Sequence, residues 1–353
     1  MTTTTVDTAI IGGGQAGLAI GHYLARAGHD FAILDANART GDAWRSRWDS
    51  LRLFTPAKYD GLPGMRFPAD PLAFPTKDEQ ADYLESYAER FGLPVSRSVR
   101  VSGLSRPDGS FVIDSADRSW TARQVVLATG SFGTPRIPVF AGDLDATVTQ
   151  LHSSQYRNPG QLKPGPTLVV GGGNSGAEIA LELSRSHPTT LAARPGVEIP
   201  FRHGRTFARY GLPVIRFAGA HVLNERSLIG RRVLPKMREQ ATPLIRTKSA
   251  NLTAAGVTRV GRVAEVREGR CVTEDGDILD MANVIWCTGY RADYSWIDLP
   301  HLTGNGEPPH RRGVVESTPG LFLLGQEFLF SVLSETLAGL ARDARYLAAC
   351  LLG

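Results

Sequence analysis

Gly12, Gly14 and Gly17 stand in the spacing G-x-G-x-x-G, and Gly171, Gly173 and Gly176 repeat it. Each triplet directly follows an apolar run, Ala9-Ile10-Ile11 in one case and Leu168-Val169-Val170 in the other, and each opens a stretch with helical apolar spacing. In that context the first glycine permits a tight turn, the second lets backbone N–H groups approach a pyrophosphate, and the third lets the helix pack closely on its strand. The phosphate charge then meets unpaired amides at the positive end of a helix. Gln15 and Ala16 complete the first loop, and Asn174 and Ser175 the second. The chemistry such loops perform is the binding of dinucleotides, and this chain is built to do it twice.

The two loops differ where their ligands would differ. Eighteen residues past the third glycine stands Asp35 in the first half and Arg194 in the second. A carboxylate at that place accepts the hydrogens of a free ribose diol, whereas a guanidinium suits a ribose carrying a 2′-phosphate. The first loop is therefore expected to hold the adenosine part of FAD, and the second NADPH in preference to NADH. The repeat extends beyond the glycines. Gly130 follows Gly12 by 118 residues and Gly289 follows Gly171 by 118 residues, each closing an apolar strand with the tail Ala128-Thr129-Gly130 or Cys287-Thr288-Gly289. Such self-similarity is harder to obtain by chance than a motif. Ala128, Thr129 and Gly130 are assigned to FAD, and Thr288 and Gly289 to NADPH.

The elements that must position these residues follow from the pattern. Helical spacing of Leu18, Ile20, Tyr23, Leu24 and Ala27 ends at Gly28, and Phe31-Ala32-Ile33-Leu34 reads as the second strand. Thr76-Lys77-Asp78-Glu79 is a capping box opening a helix. The stretch from Val99 to Gly130 reads as a small antiparallel meander returning to a buried strand. Gly320 to Gly325 reads as one more strand, with a final helix from about Ser331; Gly325 and Gln326 at that strand end are placed at the flavin. The fold class is α/β: two Rossmann-like three-layer dinucleotide-binding domains, the NADPH domain inserted in the FAD domain, each with a small antiparallel β-meander. Residues 1–158 form the first part of the FAD domain, 159–290 the NADPH domain and 291–353 the second part of the FAD domain.

Between Asp35 and the capping box runs an irregular segment, Gly41 to Pro75, dense in aromatics, arginines and prolines. Long ordered loops of this kind are usually functional. Its Trp44, Trp48 and Phe54 line a pocket or plug the core. Arg47 and Arg52 are candidates for the flavin side of the site or members of surface ion pairs. His203, between Arg202 and Arg205, reads as a contact to NADPH phosphate or ribose or as a surface histidine.

At 353 residues the chain has length for about two domains. With 42% apolar and 21% charged residues it has ordinary globular composition. The formal charge of +4 comes without basic runs interleaved with aromatics, so nucleic acid is not an expected partner. Cys271, Cys287 and Cys350 are widely spaced, and no C-x-x-C occurs, which argues against a disulfide framework, a metal site and a redox dithiol. Leu337 to Leu352 is broken by Arg342, Asp343 and Arg345 and reads as an amphipathic docking helix, not a membrane span. The expected compartment is the cytoplasm.

Together with Gly41-x-x-Trp44, Leu51-Arg52-Leu53, Leu127-Ala128-Thr129-Gly130 and Trp286-Cys287-Thr288-Gly289-Tyr290, the two glycine loops make the chain resemble the flavin-containing monooxygenases nearly end to end. The resemblance is to the compact bacterial and plant-type branch that includes indole-pyruvate monooxygenase-like enzymes. The family stretch F-x-G-x-x-x-H-x-x-x-Y survives here in its second half, His152 to Tyr156, with Ala146 and Val148 where Phe and Gly belong, and Thr55 stands where animal-type members carry an asparagine. The resemblance implies an FAD- and NADPH-dependent monooxygenase. Such an enzyme transfers one oxygen atom of dioxygen, through a flavin (hydro)peroxide, to a soft N or S nucleophile or a carbonyl or oxo acid. It puts Trp44, Arg47, Arg52 and Thr55 near the flavin. A small organic substrate and dioxygen are the expected partners, with a homodimer left open. An NADPH:acceptor flavin reductase and a non-catalytic NADP(H)-sensing flavoprotein are the competing readings.

Overall fold

The computed structural model describes residues 2–238, 243–299 and 307–353. Strand Thr2–Ile11 is central to the first sheet, paired in parallel with Phe31–Leu34 on one side and Arg118–Leu127 on the other. Its exposed outer half is held by hydroxyl pairs, Thr3 with Ser119 and Thr5 with Thr121, both at 2.9 Å. Its inner half carries Ala9, Ile10 and Ile11 into the core. Strand Arg118–Leu127 shares its far edge between two partners: Phe111–Ser115 pairs antiparallel with residues 119–122, and Leu321–Leu323 pairs parallel with 125–127. That arrangement is the expected meander, continued by Val101–Ser105, and it brings the C-terminal segment back beside the first glycine loop.

The second sheet is parallel throughout, in the order Thr258–Val260, Thr189–Ala192, Thr167–Val170, Asn283–Trp286, Thr149–His152. Leu168 and Val170 pack on one face and Val169 on the other, all buried, as a parallel sheet covered on both sides requires. Here the first domain boundary, at 158, needs correction: Thr149–His152 hydrogen-bonds to Asn283–Trp286 and lies in the second sheet. The three strands Val263–Arg267, Arg270–Thr273 and Ile278–Leu279 form the second meander, as a separate antiparallel sheet.

The capping box forms as expected. Thr76 Oγ1 accepts from Glu79 N at 3.1 Å and Glu79 Oε2 accepts from Thr76 N at 2.7 Å, opening helix Lys77–Arg90. The final helix begins later than Ser331. Ser334 Oγ accepts from the backbone N–H groups of both Phe330 and Ser331, a local turn that competes with helix, so the helix runs Leu337–Leu352. Its Leu337, Leu340, Ala344, Leu347, Ala348 and Leu351 join the first core. Among the described residues no helix is long and apolar enough to cross a membrane.

Candidate functional site

The two glycine loops are near copies. Gly12 has φ +114° and Gly171 +117°, in the left-handed region that glycine alone enters cheaply. A Cβ on Gly12 would strike the Ala128 carbonyl, and one on Gly171 the Cys287 carbonyl. Each first glycine is thus wedged under the strand tail of its own half. Gly14 and Gly173 would meet nothing within 4 Å. Each is the N-cap of its helix, Gln15–Arg26 or Asn174–Leu183, and neither cap has a side-chain hydrogen bond. Both helix N-termini therefore turn amides toward open space, which is the geometry that takes up a phosphate.

At the first loop, Asp35 is buried against Gly13 and accepts from Asn37 N at 3.1 Å and Asn37 Nδ2 at 3.0 Å. Burial, more than any neighbouring charge, lifts its carboxyl above the usual carboxylate range. An ionised Asp35 is what a ribose diol needs, and two donated hydroxyls would pull that pKa back down. FAD affinity is therefore expected to rise with pH through the raised pKa and then level off, with proton release on binding at the low end. Fluorescence titration of deflavinated protein across the acid range measures this. A flat profile in the native chain, or one unchanged in Asp35→Asn, contradicts the assignment.

Gln326, at the end of strand Leu321–Leu323, is buried, and its Nε2 has no hydrogen-bond partner among the described residues. Gly325 (φ +82°) lies so close to the first loop that its Cβ would come within 2.9 Å of Ala16 Cβ. Trp44 Nε1 donates to Gln15 Oε1 at 3.1 Å, tying the irregular segment to the same loop. An uncapped helix, a buried diol acceptor and a buried unpaired amide donor on three converging elements suit the pyrophosphate, ribose and ring acceptors of FAD.

In the second half Arg194 is not the spatial counterpart of Asp35. Ile11 pairs with Leu34, but Val170 pairs with Ala192, one residue earlier in the copy. A Cβ on Gly13 would lie 2.7 Å from Asp35 Cβ, and one on Gly172 would lie 2.7 Å from Ala193 Cβ. Ala193 thus leaves room where the first half has a carboxylate. Arg194 sits just beyond it, largely exposed, and grips Glu274 with Nε at 3.2 Å and Nη2 at 2.7 Å. Asn174 is occupied structurally, donating to Pro243 O at 3.0 Å and accepting from Ile245 N at 2.9 Å. Ser175, its neighbour in the first helical turn, is partly exposed.

The remaining candidates separate. Arg52 is exposed and donates to Phe74 O at 3.1 Å, which fastens one part of the irregular segment to another. The rest of its guanidinium is left for other partners, so the flavin-side assignment stays a proposal. Thr55 donates to Asp60, a fully buried carboxyl not found from the sequence, which burial pushes up to about 8. His203 donates to Phe54 O at 2.9 Å and packs on Phe74 at 4.4 Å, so it joins the second half to the irregular segment. Arg202 is exposed.

Arg47 leads to the other part missed in the sequence. Its Nη1 donates to the Tyr290 hydroxyl at 2.9 Å, and its guanidinium lies 4.6 Å from the Phe132 ring. Tyr290 directly follows one strand tail and Phe132 lies two residues past the other, where Thr134–Pro135 and Tyr290–Arg291 pair as a two-stranded ribbon between the halves. His152 completes the crossing: Nε2 donates to Gly289 O at 3.1 Å, and its ring meets Tyr290 edge-on at 5.0 Å. Burial lowers its pKa. The sequence marks its parts separately, as Arg47, His152 and the tail ending at Gly289-Tyr290, without showing that they meet.

Comparison with known proteins places these features in context. The family model described as pyridine nucleotide-disulphide oxidoreductase matches residues 9–199. A CzcO-like oxidoreductase of Geobacillus kaustophilus is 39% identical over 344 residues, 97% of each chain. Indole-3-pyruvate monooxygenase YUCCA1 of Oryza sativa subsp. japonica is 29% identical over 82% of this chain and 78% of its own. A flavin-containing monooxygenase from Stenotrophomonas maltophilia superposes with a TM-score of 0.78 at 29% identity, covering 99% of this chain and 98% of that one.

Proposed function

Because the chain belongs to the pyridine nucleotide-disulphide oxidoreductase family, we propose that this flavin-dependent oxidoreductase is an FAD- and NADPH-dependent monooxygenase acting on a small organic substrate. Soft N or S nucleophiles and carbonyl compounds are the substrate class. The observation that carries the reading is the pair of uncapped helix N-termini, the first backed by Asp35 and the second flanked by Arg194. Each sheet with its helices then serves as one nucleotide module, the second inserted in the first.

When bound, FAD supplies the redox chemistry: reduction by the nicotinamide and activation of dioxygen. This chain's residues bind and orient. The amides after Gly14 and Gly173 receive the pyrophosphates, Asp35 the adenosine ribose of FAD and Arg194 the 2′-phosphate of NADPH. Gln326 Nε2 offers a hydrogen bond to a ring acceptor. Trp44 and Arg47 fix the irregular segment against both halves. Relay through a protein dithiol has no support in the cysteines. All three are free, and burial pushes the thiols of Cys271 and Cys287 up to about 11 and about 12, far from the thiolate such exchange requires. The names of the rice and Stenotrophomonas relatives favour oxygenation.

The test is oxidation of NADPH by the flavin-loaded protein under isotopically labelled dioxygen with alkyl aryl sulfides, tertiary amines and cyclic ketones. The expected result is one labelled oxygen atom in the product per NADPH consumed. NADPH oxidation that delivers electrons only to quinone or ferricyanide, with no labelled product, would replace this reading with a reductase; failure to oxidise NADPH would leave a sensor.

A further inference from the structure

A cluster of guanidinium groups stands apart from both glycine loops. Arg226 and Arg231, near the start of helix Leu228–Arg238, and Arg311 and Arg312, in the turn before strand Leu321–Leu323, line a cavity of about 300 Å³ with Glu225 and Tyr346. Four cations thus face one carboxylate. Arg312 is the fixed member. Its side chain is 11% exposed and its guanidinium lies 3.6 Å from the Tyr346 ring and 4.2 Å from the Phe330 ring. Its Nε is buried and makes no hydrogen bond among the described residues; the Glu225 carboxylate stands 3.8 Å away, beyond hydrogen-bonding distance.

The backbone aims this side chain at some cost. Arg312 has φ +52°, in the left-handed region, inside a turn closed by reciprocal hydrogen bonds between Arg311 and Val314 at 2.9 and 3.0 Å. Strain of this kind collects at ligand sites. Burial and the neighbouring Arg226 charge both oppose the charged form of Arg312. His310 also faces Glu225 electrostatically, and Asp343, paired with Arg342 at 3.0 Å, still favours the charged form of Arg312. The surroundings add to the imbalance. Between residues 202 and 238 the chain has nine Lys and Arg and one acidic residue, Glu225, although the whole chain is only +4.

Guanidinium groups stacked on rings keep their N–H edges free and pre-oriented, and tetrahedral oxyanions accept from several such edges at once. We propose that this cavity is a second kind of anion site, one that takes a phosphate group from outside the nucleotide loops. The cavity is larger than inorganic phosphate, so the group arrives on a phosphate ester. Its carrier is a soluble metabolite or a lipid headgroup, the latter favoured by Leu228 and Ile229, exposed between Arg226 and Arg231.

Isothermal titration of inorganic phosphate into flavin-loaded protein saturated with NADP⁺ tests the site. One saturable equivalent is expected. Arg226→Gln/Arg311→Gln, at two exposed positions, should weaken it by about a hundredfold, with flavin content and NADPH oxidation unchanged. Glu225→Gln should act in the opposite sense, tightening phosphate by about threefold or more. No saturable phosphate binding, or binding indifferent to both variants, overturns the proposal. Sedimentation with phosphatidylcholine vesicles containing phosphatidic acid then assigns the source. Loss of co-sedimentation in the double variant marks a lipid headgroup, and phosphate binding without co-sedimentation marks a soluble ester.

Discussion

Replacing Arg194 with alanine is expected to raise the KM for NADPH by about tenfold or more while leaving that for NADH nearly unchanged. The expectation rests on what surrounds the side chain. Ala193 occupies the place that Asp35 has in the first half, so no carboxylate is there to hold an unmodified ribose diol or to repel a 2′-phosphate. The next residue is Arg194, and its fork is already engaged by Glu274. A 2′-phosphate must displace that carboxylate or share the guanidinium with it. The two residues are therefore expected to show opposite signs. Glu274→Gln should lower the KM for NADPH by severalfold, and the double variant should resemble Arg194→Ala, since Glu274 acts only through the arginine. Steady-state kinetics with both coenzymes measures all three. Equal losses with NADH and NADPH in Arg194→Ala would move the phosphate contact elsewhere on the second half.

The register that decides this point is also where sequence reasoning stopped. Counting from the third glycine lands on Asp35, the residue after Leu34, which pairs with Ile11. The same count in the copy lands one residue past the counterpart, because strand Thr189–Ala192 is paired one position earlier. Pairing register belongs to the sheet and leaves no mark in residue spacing. The glycine loops were legible for the opposite reason: their constraints act over a few residues and select glycine sterically. The Arg47–Tyr290 contact joins residues separated by 243 positions, so neither periodicity nor composition could announce it. Arg52 shows the converse limit. A cation beside a flavin-side motif reads as functional or as a surface group, and its contact to the Phe74 carbonyl was invisible in the sequence. Thr149–His152 precedes the Pro- and Gly-rich break after residue 158, so the sequence groups it with the first half, yet parallel edge pairing to Asn283–Trp286 puts it in the second.

Gly12→Ala and Gly171→Ala form the sharper pair of experiments, because two substitutions of the same geometry are expected to do different things. Each would place a methyl group against a carbonyl, that of Ala128 or of Cys287, in a backbone conformation that costs an L-residue about 1–2 kcal/mol before any clash. In both halves the collision pushes on the strand tail that leads to Thr129-Gly130 or Thr288-Gly289, so loop and tail are displaced together. If the first loop holds FAD and the second NADPH, Gly12→Ala should be purified with less than about a tenth of the native flavin. Gly171→Ala should be fully yellow, with its reduction by NADPH slowed about a hundredfold or more. Circular dichroism separates these losses from unfolding, and dithionite, which bypasses the second site, should still bleach Gly171→Ala at the native rate. Equal flavin loss in both variants, or normal reduction of Gly171→Ala by NADPH, would mean that the two halves do not divide the cofactors as Asp35 and Arg194 imply. The comparison is informative because each protein controls for the steric insult in the other: any difference between them comes from which ligand each loop receives.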